Sequence, residues 1–150
     1  EDRTTRMWNR IETDSAYRGL AQRIWAQGFG RPALEPAVAR NARRDELIAR
    51  AVTAVSTLRA RGVPVLFVRF PSSGGVLENE QKFWPRETTW DVLLAKSGAP
   101  GVHFEDEPTL RGYQTPEWSH LTAAEADRFT AALHAVIARR NLPGWSNLVQ

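Results

Sequence analysis

The chain has 150 residues, 42% of them hydrophobic and 25% charged, the size and balance of one globular domain or a large piece of one. No apolar run approaches the ~20 residues a membrane-spanning helix needs. Cysteine is absent, which removes disulfides, thiolate metal sites and cysteine nucleophiles from the available chemistry. The net charge of +3 comes from arginine rather than lysine. Arg40, Arg43, Arg44, Arg50, Arg59 and Arg61 gather around one predicted helix, and Arg139 and Arg140 close another. They read as solvated helix faces and cations near helix C-termini. No basic run is interleaved with aromatics, so nucleic acid is not an expected partner.

In chain order, residues 1–40 form an irregular, partly helical N-terminal segment. Asp14 or Ser15 caps a helix through Gln27 that puts Tyr17, Leu20, Ala21 and Ile24 on one face. Gly28, Gly30, Pro32 and Pro36 break it. Trp8 and Trp25 read as packing residues. A strong helix follows over 41–61. Leu47, Ile48, Ala51, Val52, Val55 and Leu58 make its apolar stripe, and Gly62 stops it. The run Val63 to Phe70 is short, β-branched and almost continuously apolar, as in a parallel strand buried on both faces. Residues 71–75 then form a loop. A helix from Glu87 to Lys96 turns Trp90, Leu93 and Leu94 inward, and a second strand covers Gly101 to Phe104. Thr122 and Glu125 have the spacing of a capping box at the head of a last helix. Its buried stripe is Phe129, Leu133, Val136 and Ile137, with His134 on the opposite, solvated side. Helices alternating with parallel strands predict a three-layer α/β/α fold with a parallel sheet. Two strands do not complete a sheet, so the flanking strands are expected upstream of Glu1 or within residues 1–40.

The chemistry concentrates in Pro116-Glu117-Trp118-Ser119-His120-Leu121. His120 lies two residues ahead of the Thr122 cap, in a loop from which an imidazole can reach a cleft and take a proton from a hydroxyl. Glu117, three residues earlier, is placed to accept the Nδ1 proton and fix the useful tautomer. Ser72, Ser73 and Gly74 end the first strand, where parallel sheets bind ligands. They are candidate substrate contacts, with Ser73 a conceivable substitute nucleophile. Arg69 and Arg86 are candidates to meet an anionic group, against the competing reading of structural ion pairs. The three histidines, at 103, 120 and 134, are too widely spaced to suggest a metal cluster.

Glu117-x-x-His120-Leu121-Thr122, followed by a helix with Phe129-Thr130-x-x-Leu133, resembles the C-terminal block of SGNH (GDSL-type) hydrolases, which read Asp-x-x-His-Leu and then a helix. The runs Leu66 to Gly74, Phe83-Trp84-Pro85-Arg86, Trp90-Asp91 and Val102-His103-Phe104-Glu105-Asp106 are similar to bacterial SGNH-like proteins related to polysaccharide O-acetyltransfer. The resemblance covers residues 45–140. It implies a flavodoxin-like SGNH fold of which 41–142 is the C-terminal half, with 143–150 a tail. It also implies acyl-ester hydrolysis or O-acetyl transfer on an acylated small molecule or glycan, with His120 as base, Glu117 as its acid and no cofactor or metal. Glutamate stands where the family usually has aspartate. The family's Gly-Asp-Ser nucleophile and its oxyanion-hole segments have no counterpart here, so the serine is expected upstream of Glu1, in another part of the same protein. The residues leave the compartment open. The resemblance implies a periplasmic or outward-facing location, with any membrane anchor N-terminal to this chain. The rival expectation is a non-catalytic SGNH-like module that binds carbohydrate or protein through some of its six tryptophans.

Overall fold

A computed structural model describes residues 9–29, 31–142, 144 and 145. Trp8 and most of the 143–150 tail lie outside the described residues. The elements run α1 (Arg10–Thr13), α2 (Ser15–Phe29), α3 (Arg31–Leu34), α4 (Ala37–Ala60), β1 (Phe67–Arg69), α5 (Gly74–Phe83), α6 (Trp90–Ser97), β2 (Gly101–His103) and α7 (Ala123–Arg140). Short 3-10 turns stand at Arg86–Thr88 and Pro108–Leu110.

The protein is mostly helical, with one two-stranded parallel sheet among the described residues. This overturns the expected three-layer α/β/α, flavodoxin-like sheet. Where the N-terminal segment had room for a flanking strand, it forms the helices Arg10–Thr13, Ser15–Phe29 and Arg31–Leu34 instead. The expected strand over 63–70 pairs only where it has a partner, Phe67↔Gly101 to Arg69↔His103. With two strands, β1 is half-exposed rather than buried on both faces. Gly74 and Gly75, expected to close the loop over 71–75, instead open α5, which supplies a further helix.

The sheet, though small, is covered on both sides, following the two-residue alternation of side chains along a strand. Val102 packs with Phe104, Leu110, Phe129 and Val136 into the central cluster, so α7 closes one face. Gly101 and His103 face α6. A Cβ on Gly101 would stand 2.7 Å from Leu94 and 2.8 Å from Trp90, and Trp90 meets the His103 ring edge-on at 5.3 Å. Outside α6 lies α4, held by buried Ile48 and Val55 and by Arg59, whose guanidinium donates to the carbonyls of Ser97 (2.9 Å) and Gly98 (2.7 Å) at the end of α6. Gly98 closes that helix in the left-handed conformation (φ 63). The last helix begins as expected, with Thr122 Oγ1 accepting from Glu125 N at 3.2 Å.

The helix α2 begins as the sequence predicts, with Asp14 Oδ1 accepting from the N–H groups of Ala16 and Tyr17 at 3.0 Å each, but it runs through Gly28 to Phe29 rather than ending at Gln27. Its inward face differs from the expected one. Leu20 and Ile24 are 45% and 58% exposed. The helix docks through Gln22, Trp25 and Phe29, which share a face by i, i+3, i+7 spacing. Gln22 donates to the Pro116 carbonyl at 2.9 Å, and the Phe29 ring meets that of Trp118 at 6.0 Å. The N-terminal segment thus packs on the loop that carries Glu117 and His120.

Candidate functional site

Both strands end at the same edge, at Arg69 and His103. From there the chain runs into two loops, one entering α5 and one running from Phe104 to the head of α7. The two loops are joined at Ser73. Its N–H donates to the Trp118 carbonyl at 2.9 Å, and its hydroxyl lies 2.6 Å from Thr115 Oγ1. Trp118 itself adopts φ 80, a left-handed conformation that costs a bulky residue on the order of 1–3 kcal/mol and persists only when its surroundings over-determine it. Here the Ser73 hydrogen bond and the two glycines that open α5 do so. A Cβ on Gly74 would sit 2.5 Å from Trp118 Nε1, and one on Gly75 would sit 2.6 Å from the Phe29 ring. A side chain at position 74 would overlap the Trp118 indole, and one at position 75 the Phe29 ring packed against it.

The turn at Trp118 brings the ends of the tetrapeptide together. Glu117 is buried and His120 largely exposed, at 4% and 65% of their side-chain surfaces. Glu117 Oε1 accepts from the His120 backbone N–H at 2.5 Å and from His120 Nδ1 at 2.9 Å. Ser119 adds its N–H at 3.2 Å to Oε1 and its hydroxyl at 2.9 Å to Oε2. The Ser119 hydroxyl oxygen also lies 2.7 Å from Nδ1. Across the interface with α2, the indole N–H of Trp25 donates to Oε2. Burial pushes the Glu117 carboxyl up, but the hydrogen bonds from Trp25, Ser119 and His120 outweigh it and hold the group below the usual carboxylate range. An ionised carboxylate on Nδ1 keeps the neutral imidazole protonated there and leaves Nε2 as the basic atom. Among the described residues, Nε2 has no hydrogen-bond partner.

The other predicted site residues divide between two places. Ser73 and Gly74 stand beside the pair, on the Trp118 side. Ser73 is engaged with Thr115, and no hydrogen bond joins its hydroxyl to His120. Ser72, Arg69 and Arg86 belong to a separate cleft of about 370 Å³ between α5, α6 and the strand ends, or to its border. Arg69 donates to Ser72 Oγ (2.9 Å), to the Phe70 carbonyl (2.6 Å) and to Glu80. Arg86 holds Asp106 through both terminal nitrogens, at 2.7 and 2.8 Å, and Asp91 at 3.3 Å. Both guanidiniums are engaged in internal ion pairs, and the structure does not bring them to His120. His103, on the wall of this cleft, is held below the ordinary histidine range by burial and by Arg86 and Arg69. Among the described residues no group of three or more His, Asp or Glu is placed to hold a metal ion, and no helix is long and apolar enough to cross a membrane.

Sequence reasoning missed Trp25, Ser119 and Gln22. Ser119 was legible in principle, since a hydroxyl between an acid and a histidine in a short turn competes for the same carboxylate. The partnership of Trp25 with Glu117 spans 92 positions and leaves no local signal.

No family model matches this chain, and no curated protein and no solved structure matches it.

Proposed function

We propose that Glu117 and His120 are the acid–base pair of an enzyme that hydrolyses acyl esters or transfers their acyl group to a hydroxyl. The observation that carries this is the buried Glu117 carboxylate bonded to Nδ1 of an exposed histidine whose Nε2 is open. A carboxylate on one ring nitrogen orients the imidazole and stabilises the imidazolium, and the other nitrogen takes the proton of an attacking hydroxyl. That proton is then returned to the leaving alkoxide, so the base is regenerated. The attacking hydroxyl comes from outside the pair: Ser73 is engaged with Thr115 and Ser119 lies on the Nδ1 side. A serine elsewhere in the same protein, or the acceptor itself, fits this role. The resemblance to SGNH hydrolases in Glu117-x-x-His120-Leu121 supports the same chemistry.

The test is turnover of an aryl acetate by the natural protein, with and without a polyol acceptor. His120→Ala is expected to lower it by about 10²–10⁴-fold, the usual worth of a positioned base. Unchanged turnover in His120→Ala overturns the assignment. A wild-type protein that turns over no ester but binds the polyol supports the binding module instead.

A further inference from the structure

We infer that Trp25 is a positioning residue for His120: its indole N–H holds the outer oxygen of Glu117 so that the inner one faces the imidazole. The inference rests on the acid–base reading of Glu117 and His120 and extends it to a helix that precedes them by about ninety residues.

Trp25 is poorly explained as a core residue. It is 41% exposed, and its neighbours Leu20 and Ile24 point to solvent as well. Little apolar surface is gained by placing an indole here. What the position does provide is direction. Gln22 fixes the helix on the Pro116 carbonyl at 2.9 Å, Phe29 fixes it on Trp118, and between them Trp25 Nε1 reaches Glu117 Oε2. Three successive contacts of one helix face meet residues 116, 117 and 118 in turn.

The division of labour within the carboxylate follows from the donors. Oε1 takes the His120 ring N–H, the His120 backbone N–H and the Ser119 backbone N–H. Oε2 takes Trp25 and shares the Ser119 hydroxyl. Without Trp25, the one donor from outside the tetrapeptide is gone. The carboxylate keeps its Ser119 and His120 donors, but Oε2 loses the bond that fixes its direction and can turn toward water. The Ser119 hydroxyl, 2.7 Å from Nδ1, can then donate to that nitrogen instead of to Glu117. The second tautomer, with its proton on Nε2, becomes accessible, and in that tautomer the ring is no base toward solvent. The indole also stands at the site itself, with its ring 6.4 Å from that of His120 and tilted by 37°. It flanks the imidazole on the side from which α2 approaches.

The test needs no turnover. Long-range proton–nitrogen NMR correlations of the 150-residue chain report the His120 tautomer directly. The wild type is expected to hold the Nδ1–H form, and Trp25→Phe a mixture of the two. Where Trp25→Phe does not fold, benzothienylalanine at position 25 keeps the shape of the indole and removes the donor. A His120 ring that stays wholly in the Nδ1–H form in the folded variant overturns the inference. If the tautomer shifts while the natural protein turns over no ester, the positioning role stands and the catalytic reading fails. If esters are turned over and the Trp25 variant matches wild type in tautomer and kcat, the reverse holds.

Discussion

The Ser73 N–H donates to the Trp118 carbonyl at 2.9 Å, and through this bond the first strand's exit loop sets the shape of the turn that carries Glu117 and His120. The neighbouring glycines make that approach possible. Gly74→Ala is expected to destabilise the protein by about 1–3 kcal/mol, from a side chain at φ 46 and from the overlap with the Trp118 ring. The His120 resonances are expected to shift as well, because Trp118 must move. Urea unfolding and an amide spectrum measure both. A variant as stable as wild type, with an unmoved His120, contradicts the proposed coupling of the two loops.

Glu117→Gln separates orientation from proton transfer. The glutamine side chain offers one acceptor and one donor group where the carboxylate offers two acceptors, so it cannot accept from both Trp25 and the His120 Nδ1–H, and its NH2 group favours the unproductive tautomer with the proton on Nε2. Turnover of an aryl ester by the natural protein is expected to fall about 10- to 10²-fold, less than in His120→Ala. The loss should lie mainly in kcat, because Glu117 is buried and meets no substrate directly. A loss confined to KM would place Glu117 in binding instead.

How much of this was legible in the sequence differs between the elements and the site. The last helix, its Thr122 cap, and the helix running through Leu47, Ile48 and Val55 follow from local periodicity and capping chemistry, and they stand where expected. The pair itself was also readable, since Glu117 and His120 are three residues apart in one turn. The fold class was not. Val63 to Phe70 has the composition of a buried strand, but strand length is fixed by the partner, and β2 offers three positions. Nor was the inward face of α2 readable. Leu20 and Ile24 carry the apolar signal, while the helix is anchored by the polar contacts of Gln22 and Trp25, whose partners are remote in the chain. Periodicity reports burial and is silent about directed hydrogen bonds.

Stability should fall on acidification in two stages. The His103 ring titrates below the ordinary histidine value in the fold, owing first to burial and then to Arg86. The unfolded chain therefore takes up this proton first, and stability declines as pH falls below about 6.5. Glu117 is also held below its ordinary value. Its contribution is complete above about pH 4.3 and is lost as pH falls through the lower folded value. His103→Phe, which keeps an aromatic ring against Trp90 and Phe104, should flatten the first stage and leave the second. Unfolding free energies measured between pH 7 and pH 3 distinguish the two. A wild type with no slope near pH 6 would mean that His103 is not the buried, neutral group described here.

The end of α7 is fastened by a buried carboxylate, and its asymmetry predicts an ordering of variants. Glu107, 5% exposed, meets Arg139 and Arg140 at 2.5 Å each. Arg140 also donates to the Gly101 carbonyl at 2.8 Å, at the start of β2. The two arginines are the more exposed partners, at 60% and 31% of their side chains against 7% for Glu107. Removing the anion leaves two cations that water can solvate. Removing both cations leaves a carboxylate that water cannot easily reach. The Arg139→Ala/Arg140→Ala double variant should therefore lose more stability than Glu107→Ala. Its loss should remain below the ~3–5 kcal/mol typical of breaking a fully buried pair, because Arg139 is already largely hydrated. Arg139→Ala alone should cost under about 1 kcal/mol, since Arg140 still covers the carboxylate. Equal losses in Glu107→Ala and in the double variant would show that the carboxylate is hydrated in the folded protein and that the clamp is an ordinary surface pair.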